Sequence, residues 1–424
     1  MRKATVILLW CFVCSLAWER VSLPLIGRAP VLLGPVVMGL GVLTTLVEGR
    51  VRRIGAVVGL AIAFAFSAVF STLWAVSLEP ALQRVATYAQ LVGLVWLVWE
   101  FARTPRAQQA LLIAYVLGMF VPIAALIVNY ASGQTTNDYG VARYSALGLN
   151  ADELGLMCAL SLPMAWRLIL GFGGGVRLMA SMFLLVAPVG VMLTGTRGSF
   201  VVALVGLSII PISLRRSSGR VAIGSLVVLI LSAVVVAQVV PSDSWARMGT
   251  IGQELGDGGS LTGRREIWAG GWQVFLARPL LGVGAGGFET AVYPMLSQYS
   301  APHNTLLAIL VEQGVLGFLI FAALVLACAG TCRRLAPRER EFWVIMLLAW
   351  LVGGTTLHWQ YHKLTWLLFG LLAAEAAASS AASRKMGADA VLVNPRSPVL
   401  RSGPLQDDAP LTAPMTAQYL RPGR

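Results

Sequence analysis

The sequence contains little charge: only 12% of its 424 residues are Asp, Glu, Lys or Arg, whereas 57% are hydrophobic. A soluble domain of this length normally carries about 25% charged residues. Apolar runs of about 20 residues, enough to cross a bilayer core of about 30 Å, recur along the whole chain. Short alternating strands, which would indicate a transmembrane β-barrel, are not apparent. The composition therefore predicts an all-α polytopic membrane protein.

Histidine and cysteine are also scarce, with three and five residues respectively. The cysteines lie within or at the edge of apolar runs without an accompanying histidine, so we interpret them as small apolar residues (Cys11, Cys14, Cys158, Cys328 and Cys332). His358 and His362 are four residues apart, but no third ligand is evident. An interfacial aromatic belt with Trp359, Tyr361 and Trp366 is the preferred interpretation. We predict no metal site and no cofactor.

Hydropathy predicts about twelve transmembrane helices, at 4–19, 30–48, 55–75, 85–101, 110–130, 151–168, 178–195, 199–214, 221–240, 304–331, 342–358 and 364–380. Most of the 32 lysines and arginines then fall on the side of the N-terminus, so the positive-inside rule places both termini in the cytoplasm. The basic, apolar opening also resembles a secretory signal, although a retained first helix fits the following spans better.

This topology divides the chain into four parts. Residues 1–240 contain helices 1–9, 241–303 form a polar loop with short helices, and 304–380 contain helices 10–12. Residues 381–424 form a cytoplasmic tail, rich in Pro, Ala and polar residues, that we expect to be disordered. The net charge of +13 is explained by the loops between the spans and predicts no nucleic-acid partner.

Basic residues on the outward side are contrary to the positive-inside rule and therefore need another explanation. Arg197 lies in the tight turn of "LTGTRGSF" between two spans. The glycines allow close approach of a ligand, and Ser199 is a candidate cap for the next helix, whose N-terminus favours an anion. The alternative is that Arg197 contacts lipid headgroups.

Two adjacent arginines, Arg264 and Arg265, stand in the first turn of a helix predicted to begin at Thr262 or Gly263. Cations oppose the dipole at a helix N-terminus, which suggests a neighbouring anion, and arginine suits bidentate phosphate binding. The alternative is that one of them, more readily Arg265, pairs with Glu266 or Asp257.

His303 and Asn304 stand at the start of the tenth predicted span, so we expect both to face a cavity at the outward interface, with Asn304 as a possible substrate-binding residue. An imidazole titrates near neutral pH and can act as a general base, although a histidine at this position can equally serve as a helix cap. Glu312 follows nine residues into the span, with no role assigned.

Arg143, beside the candidate helix caps Asn150 and Asp152, is a further candidate to bind phosphate or an acidic sugar.

Five motifs together resemble the O-antigen ligase/polymerase family of bacterial membrane proteins, over roughly residues 55–380. They are "FSTLWAVSLEP", "RYSALGLNADELG", "TGTRGSF", "GRREIWAGGWQVFLARPLLGVGAGGFE" and "PHNTLLAILVEQGVLG". The resemblance implies a GT-C-like glycosyltransferase with a periplasmic helical loop between helices 9 and 10, inverting and metal-independent. By the family's pattern, Arg197 and Arg264 bind the diphosphate and His303 is catalytic. Arg265 occupies a variable position of that pattern.

The implied reaction moves a glycan from undecaprenyl diphosphate to an acceptor hydroxyl at the periplasmic face of the bacterial inner membrane. We favour an O-antigen ligase, whose acceptor is lipid A–core. An O-antigen polymerase and a protein O-oligosaccharyltransferase remain open. A transporter or flippase with twelve spans is disfavoured, because the unusual charges lie at the outward interface and not near the midplane.

Overall fold

The fold was analysed in a computed structural model, which describes residues 1–23, 27–49, 51–138, 141–256, 261 and 263–393. Seventeen α-helices lie in this part of the chain. They are α1 (Arg2–Ser15), α2 (Ala29–Glu48), α3 (Ala56–Ser71), α4 (Leu78–Phe101), α5 (Pro105–Ala131), α6 (Ala151–Gly171), α7 (Gly174–Leu193), α8 (Arg197–Leu207), α9 (Ile209–Leu214), α10 (Gly219–Val239), α11 (Ser242–Gly249), α12 (Ile251–Leu255), α13 (Arg264–Ala277), α14 (Phe288–Leu296), α15 (Thr305–Cys332), α16 (Pro337–Gly354) and α17 (Lys363–Val393).

Nine helical segments of the described chain are long and apolar enough to cross a membrane: α2, α4, α5, α6, α7, α8 together with α9, α10, α15 and α17 as far as Ala381. The protein is therefore an all-α polytopic membrane protein. The remaining three predicted spans coincide with α1, α3 and α16. The first two have only 14 and 16 residues, and α16 begins with the charged sequence "PRERE". A bilayer crossing by these three helices stays a prediction.

The most deeply buried span is α6, in which 83% of the apolar window is enclosed by other helices. It packs against α5, α7, α8 and α16. Large aromatic side chains fill the surrounding core, among them Trp166, Trp343, Trp350 and Trp366. The N-terminus of α6 is fixed by Asn150, whose side chain accepts a hydrogen bond from the backbone N–H of Asp152 at 2.8 Å. This helix consequently presents its first turn at a fixed place in the bundle.

Four short helices, α11 to α14, lie between α10 and α15, and we call the described residues of 241–303 the roof. The roof has a small core of its own, formed by Val274, Val283, Phe288 and Val292 together with Leu307 and Val311 of α15. Because α15 supplies part of this core, the first turns of α15 hold the roof to the bundle.

The Gly-rich turn "GVGAGG" joins the roof to α15 and α3. The N–H groups of Val283 and Gly284 donate to the carbonyls of Val311 and Glu312, at 2.9 and 2.8 Å. At this point α15 is broken by Gly314, which has a φ of 63°. A Cβ atom at Gly284 would lie 2.6 Å from Cα of Ala75. The glycines are therefore required by close backbone packing.

Two small antiparallel pairs of strands were not anticipated by the all-α prediction. They are β1 (Ser22–Leu23) with β2 (Gly27–Arg28), and β3 (Thr136–Asp138) with β4 (Val141–Arg143). The second pair ends at Arg143. The last helix, α17, ends at Val393, beyond the predicted start of the tail at 381, and residues 394–424 lie outside the described part of the chain. The expected disorder of the tail stays a prediction.

Candidate functional site

A cavity of about 480 Å³ lies between the roof and the ends of α6, α8 and α16. Four of the residues singled out in the sequence line it: Arg143, Arg197, Arg264 and His303. They come from β4, α8, α13 and the segment before α15. Packing of four separate elements thus brings three guanidinium groups and an imidazole to one place.

Arg264 reaches the cavity from the first turn of α13. Its Nη2 atom is 2.9 Å from Oδ2 of Asp152, at the start of α6. The helix begins after Gly263, which has a φ of 79°, whereas Thr262 lies outside the described residues. The ion pair with Asp152 fixes the position of this guanidinium at the cavity.

Arg265 points elsewhere. Its side chain is exposed, its Nη2 atom donates to the carbonyl of Gly256 at 2.7 Å, and it does not line the cavity. The alternative partner Asp257 lies outside the described residues. The structure therefore separates the two neighbouring arginines, and the expectation that Arg265 binds the diphosphate alongside Arg264 has no geometric support.

Arg143 is almost fully buried and bonds to Asp152, to the carbonyl of Thr194 at 3.0 Å and to the hydroxyl of Thr196 at 2.7 Å. Asp152 thus joins Arg143 to Arg264 through its two carboxylate oxygens. The sequence suggested Asp152 as a helix cap, but Asn150 performs that role. The buried position of Arg143 suits it to holding Asp152 in place more than to contacting a ligand directly.

Arg197 is the first residue of α8 and lies beneath the roof. Its Nη1 atom is 3.0 Å from Oε1 of Glu254, and its Nε and Nη2 atoms donate to the hydroxyl of Thr250 at 3.1 and 2.7 Å. The predicted cap Ser199 does not cap this helix, because its hydroxyl instead donates to the carbonyl of Asp152 at 3.4 Å. Arg197 thus contacts two residues of the roof, Glu254 and Thr250.

His303 lies between the roof and α15 in the left-handed region, with a φ of 45°. Burial, and next the guanidinium of Arg264, lower the pKa of its imidazole to about 4. The ring is therefore neutral near pH 7, with one nitrogen available to accept a proton. Its Nδ1 atom has no hydrogen-bond partner among the described protein atoms. The neighbouring Asn304 is the N-cap of α15, accepting from the N–H groups of Leu306 and Leu307 at 3.0 Å, and does not line the cavity.

Two further charged residues of the cavity were missed from the sequence: Arg247 of α11 and Glu254 of α12. In the predicted topology Arg247 is a basic residue on the outward side, which was the available signal. Its pKa is lowered by burial and by the neighbouring guanidinium groups. Among the described residues that line the cavity, four arginines including Arg247 stand against two carboxylates, Asp152 and Glu254, so positive charge is in excess there. Such a site favours an anionic ligand.

The other two histidines lie beside the site. The His358 ring is 6.2 Å from that of His303, centroid to centroid. The His362 ring stacks on that of Trp359, with centroids 4.2 Å apart, and its Nε2 atom is 3.6 Å from Oε1 of Glu153. Trp359 and Trp366 are buried, which the interpretation as an interfacial aromatic belt did not anticipate. Within the described residues no group of three His, Cys, Asp or Glu side chains is arranged to hold a metal ion.

Residues 180–322 match the family model described as O-antigen ligase. The matched range contains Arg197, Arg264 and His303, and it confirms the resemblance stated from the motifs. No curated protein matches the chain.

Proposed function

Because residues 180–322 carry the match to the O-antigen ligase family, we propose that this protein transfers O-antigen glycan from undecaprenyl diphosphate to lipid A–core. We further propose that it inverts the anomeric centre, needs no metal ion and works at the periplasmic face of the inner membrane, with both termini in the cytoplasm. The observation that carries the proposal is the meeting of Arg197, Arg264 and His303 in one cavity with an excess of positive charge.

The leaving group of the proposed reaction is a diphosphate, on which negative charge develops in the transition state. Fixed guanidinium groups in a site that excludes much of the water stabilise such charge strongly. Arg264 is pre-positioned by Asp152, and Arg197 is held under the roof by Glu254. These two side chains are the proposed diphosphate ligands, and Arg247 adds positive charge nearby.

The neutral imidazole of His303 is the proposed general base. It takes the proton of the acceptor hydroxyl while the oxygen attacks the anomeric carbon and the diphosphate departs on the other side. A diphosphate bound to Arg264 offsets the positive potential that lowers the pKa of His303. Binding of the donor therefore makes the base stronger at the moment when it is needed.

The test is reconstitution with lipid-linked glycan and three acceptors offered separately: lipid A–core, a second lipid-linked repeat and a pilin-like protein. A ligase gives product only with lipid A–core, whereas the polymerase and the protein O-oligosaccharyltransferase use the second and third acceptors. His303→Ala is expected to bind the donor but to form no product, and Arg197→Ala to bind the donor weakly. Unchanged turnover in both variants would contradict the proposed mechanism.

A further inference from the structure

An exposed apolar surface continues from the membrane spans onto the roof. Its side chains are between 44% and 80% exposed and come from α3, α13, α15 and the turns that follow α3 and α13: Phe70, Leu73, Leu276, Leu280, Leu281, Leu316 and Leu319. A surface of this kind on a protein marks a site of interaction with an apolar partner.

Backbone and side-chain hydrogen bonds hold these elements together. The indole N–H of Trp74 donates to the carbonyl of Leu281 at 3.1 Å, and the N–H of Leu316 donates to the carbonyl of Leu280 at 3.3 Å. Leu280 and Leu281 are therefore fixed between the end of α3 and the break in α15. They do not project freely from the roof.

The length of α15 indicates the depth of this point in the membrane. Residues 315–332, which follow the break at Gly314, rise about 27 Å, close to the bilayer core of about 30 Å. Arg333 and Arg334 come directly afterwards and mark the far boundary. The break, and Leu280 beside it, consequently lie near the boundary on the roof side.

The shorter helix α3, which is a predicted span, agrees with this depth. Its 16 residues rise about 24 Å from Ala56, which follows the basic residues Arg52 and Arg53. Leu73 and Trp74 lie just past its end, and Leu73 is 80% exposed. Two helices thus place the bonded turns of 72–76 and 279–284 at one level, where the hydrocarbon core meets the headgroups.

We propose that Leu276, Leu280 and Leu281 of the roof, together with Leu73, insert into the bilayer leaflet on the roof side. The occupant of the surface is lipid, because the surface is continuous with the lipid-facing side chains of α3 and α15. On α13, Gly270, Gly271 and Val274 face the roof core, while Trp272 and Leu276 are exposed. A short helix that packs one apolar side against the protein and exposes another fits a position at the membrane–water interface. Arg278 then lies at the level of the lipid phosphates.

The insertion anchors the roof directly to the membrane surface, in addition to its attachment through α15. Since α13 carries Arg264 at its other end, the same helix would connect the leaflet with the cavity. The inference rests on side-chain exposure and helix lengths and does not depend on the proposed transferase activity.

Labelling with an environment-sensitive fluorophore tests the proposal in full-length protein embedded in lipid nanodiscs. Leu280→Cys and Leu276→Cys are compared with Thr290→Cys, an exposed position on the roof helix α14. We expect emission at shorter wavelength, quenching by lipids that carry a nitroxide in the acyl chain, and loss of iodide quenching at 280 and 276. Thr290→Cys should show the opposite behaviour. Wild-type protein treated in parallel measures background from Cys11 and Cys14, which are partly exposed.

Iodide quenching at positions 280 and 276 equal to that at 290 would overturn the proposal. In that case the surface would be exposed to water in nanodiscs that contain only lipid, and its partner would be another protein. Both labelled leucines are exposed, so truncation to cysteine leaves the packing of the roof unchanged, and thermal unfolding of the labelled proteins verifies their folding independently.

Discussion

Arg264 and Asp152 are 112 residues apart in the sequence, and in the fold Nη2 of the arginine lies 2.9 Å from Oδ2 of the aspartate. The other oxygen of Asp152 bonds to Arg143. One carboxylate at the start of α6 thus connects the roof to β4 and fixes the arginine proposed to meet the diphosphate.

Asp152→Asn removes the charge that holds both arginines and keeps the shape of the side chain. Because the aspartate is largely buried, we expect a loss of about 3 kcal/mol in the free energy of unfolding and a large fall in transfer rate. Thermal unfolding in detergent and initial rates measure the two effects. Glu153→Gln is the matched control: Glu153 pairs with Arg20 outside the cavity, so its variant should retain activity. Equal activity losses in both variants would argue against a special role for Asp152.

Arg264→Ala and Arg265→Ala form a second matched pair. Only Arg264 lines the cavity, whereas Arg265 donates to the carbonyl of Gly256 at the surface. We expect kcat to fall about 100-fold in Arg264→Ala, since a fixed donor to the developing charge is lost. In Arg265→Ala the change should be about twofold or less. A larger effect at position 265 would restore the original expectation that both arginines bind phosphate.

Glu254→Gln tests whether the carboxylate on Arg197 competes with the substrate. The two side chains are 3.0 Å apart and each is 22% exposed, so the pair is partly solvated. Removal of the charge should lower KM for the donor about twofold to fivefold with kcat unchanged. Steady-state kinetics at several salt concentrations give the measurement, with Glu266→Gln of α13 as the control outside the cavity. A raised KM in Glu254→Gln would show that Glu254 assists binding instead.

The membrane-spanning helices were largely predictable from the sequence, because apolar runs alone specify them. Arg197 and Arg264 were also predictable as site candidates, because their positive charges lie on the outward side against the positive-inside rule. His303 was a candidate because it directly precedes a span and can act as a general base. Glu254 was not predictable as a site residue, and only the outward position of its charge pointed to Arg247, since α11 and α12 are too short to give a periodic pattern. The role of Asp152 depends on the approach of α13 to α6, which no local signal encodes. Likewise, the divergence of Arg264 and Arg265 follows from the rotation of α13 about its axis.

The pH dependence of transfer should report His303. Burial and Arg264 lower the pKa of its imidazole to about 4 in the free protein, so kcat/KM should stay level below neutrality and fall only as the pH approaches that value. In the donor complex the anion raises this pKa, so the acid limb of kcat should lie at higher pH than that of kcat/KM. Two pH–rate profiles provide the measurement, and coincident limbs would contradict the coupling of His303 to the diphosphate site.

The same imidazole also affects stability. Its folded pKa is below the unfolded value of about 6.5, so the unfolded chain binds the proton more readily. The contribution of the His303 imidazole to the free energy of unfolding is therefore present above pH 6.5 and is lost as the pH falls toward 4. His303→Gln should abolish this part of the acid-side decline in the unfolding temperature. An unchanged decline would assign it to other groups.

Gly314→Ala tests the junction between α15 and the Gly-rich turn. At Gly314 the φ is 63°, and an added Cβ would lie 2.3 Å from the carbonyl oxygen of Leu280. Both the strained backbone and the clash oppose the substitution, so we expect the free energy of unfolding to fall by about 3 kcal/mol. We also expect the roof to separate from the bundle.

Gly330→Ala in the same helix is the matched control, because nothing lies within 4 Å of its added Cβ and a helical alanine is favoured by about 1 kcal/mol. Thermal unfolding in detergent should therefore shift downward for position 314 and remain level or rise for position 330. Equal shifts would mean that the break in α15 is not required for docking of the turn.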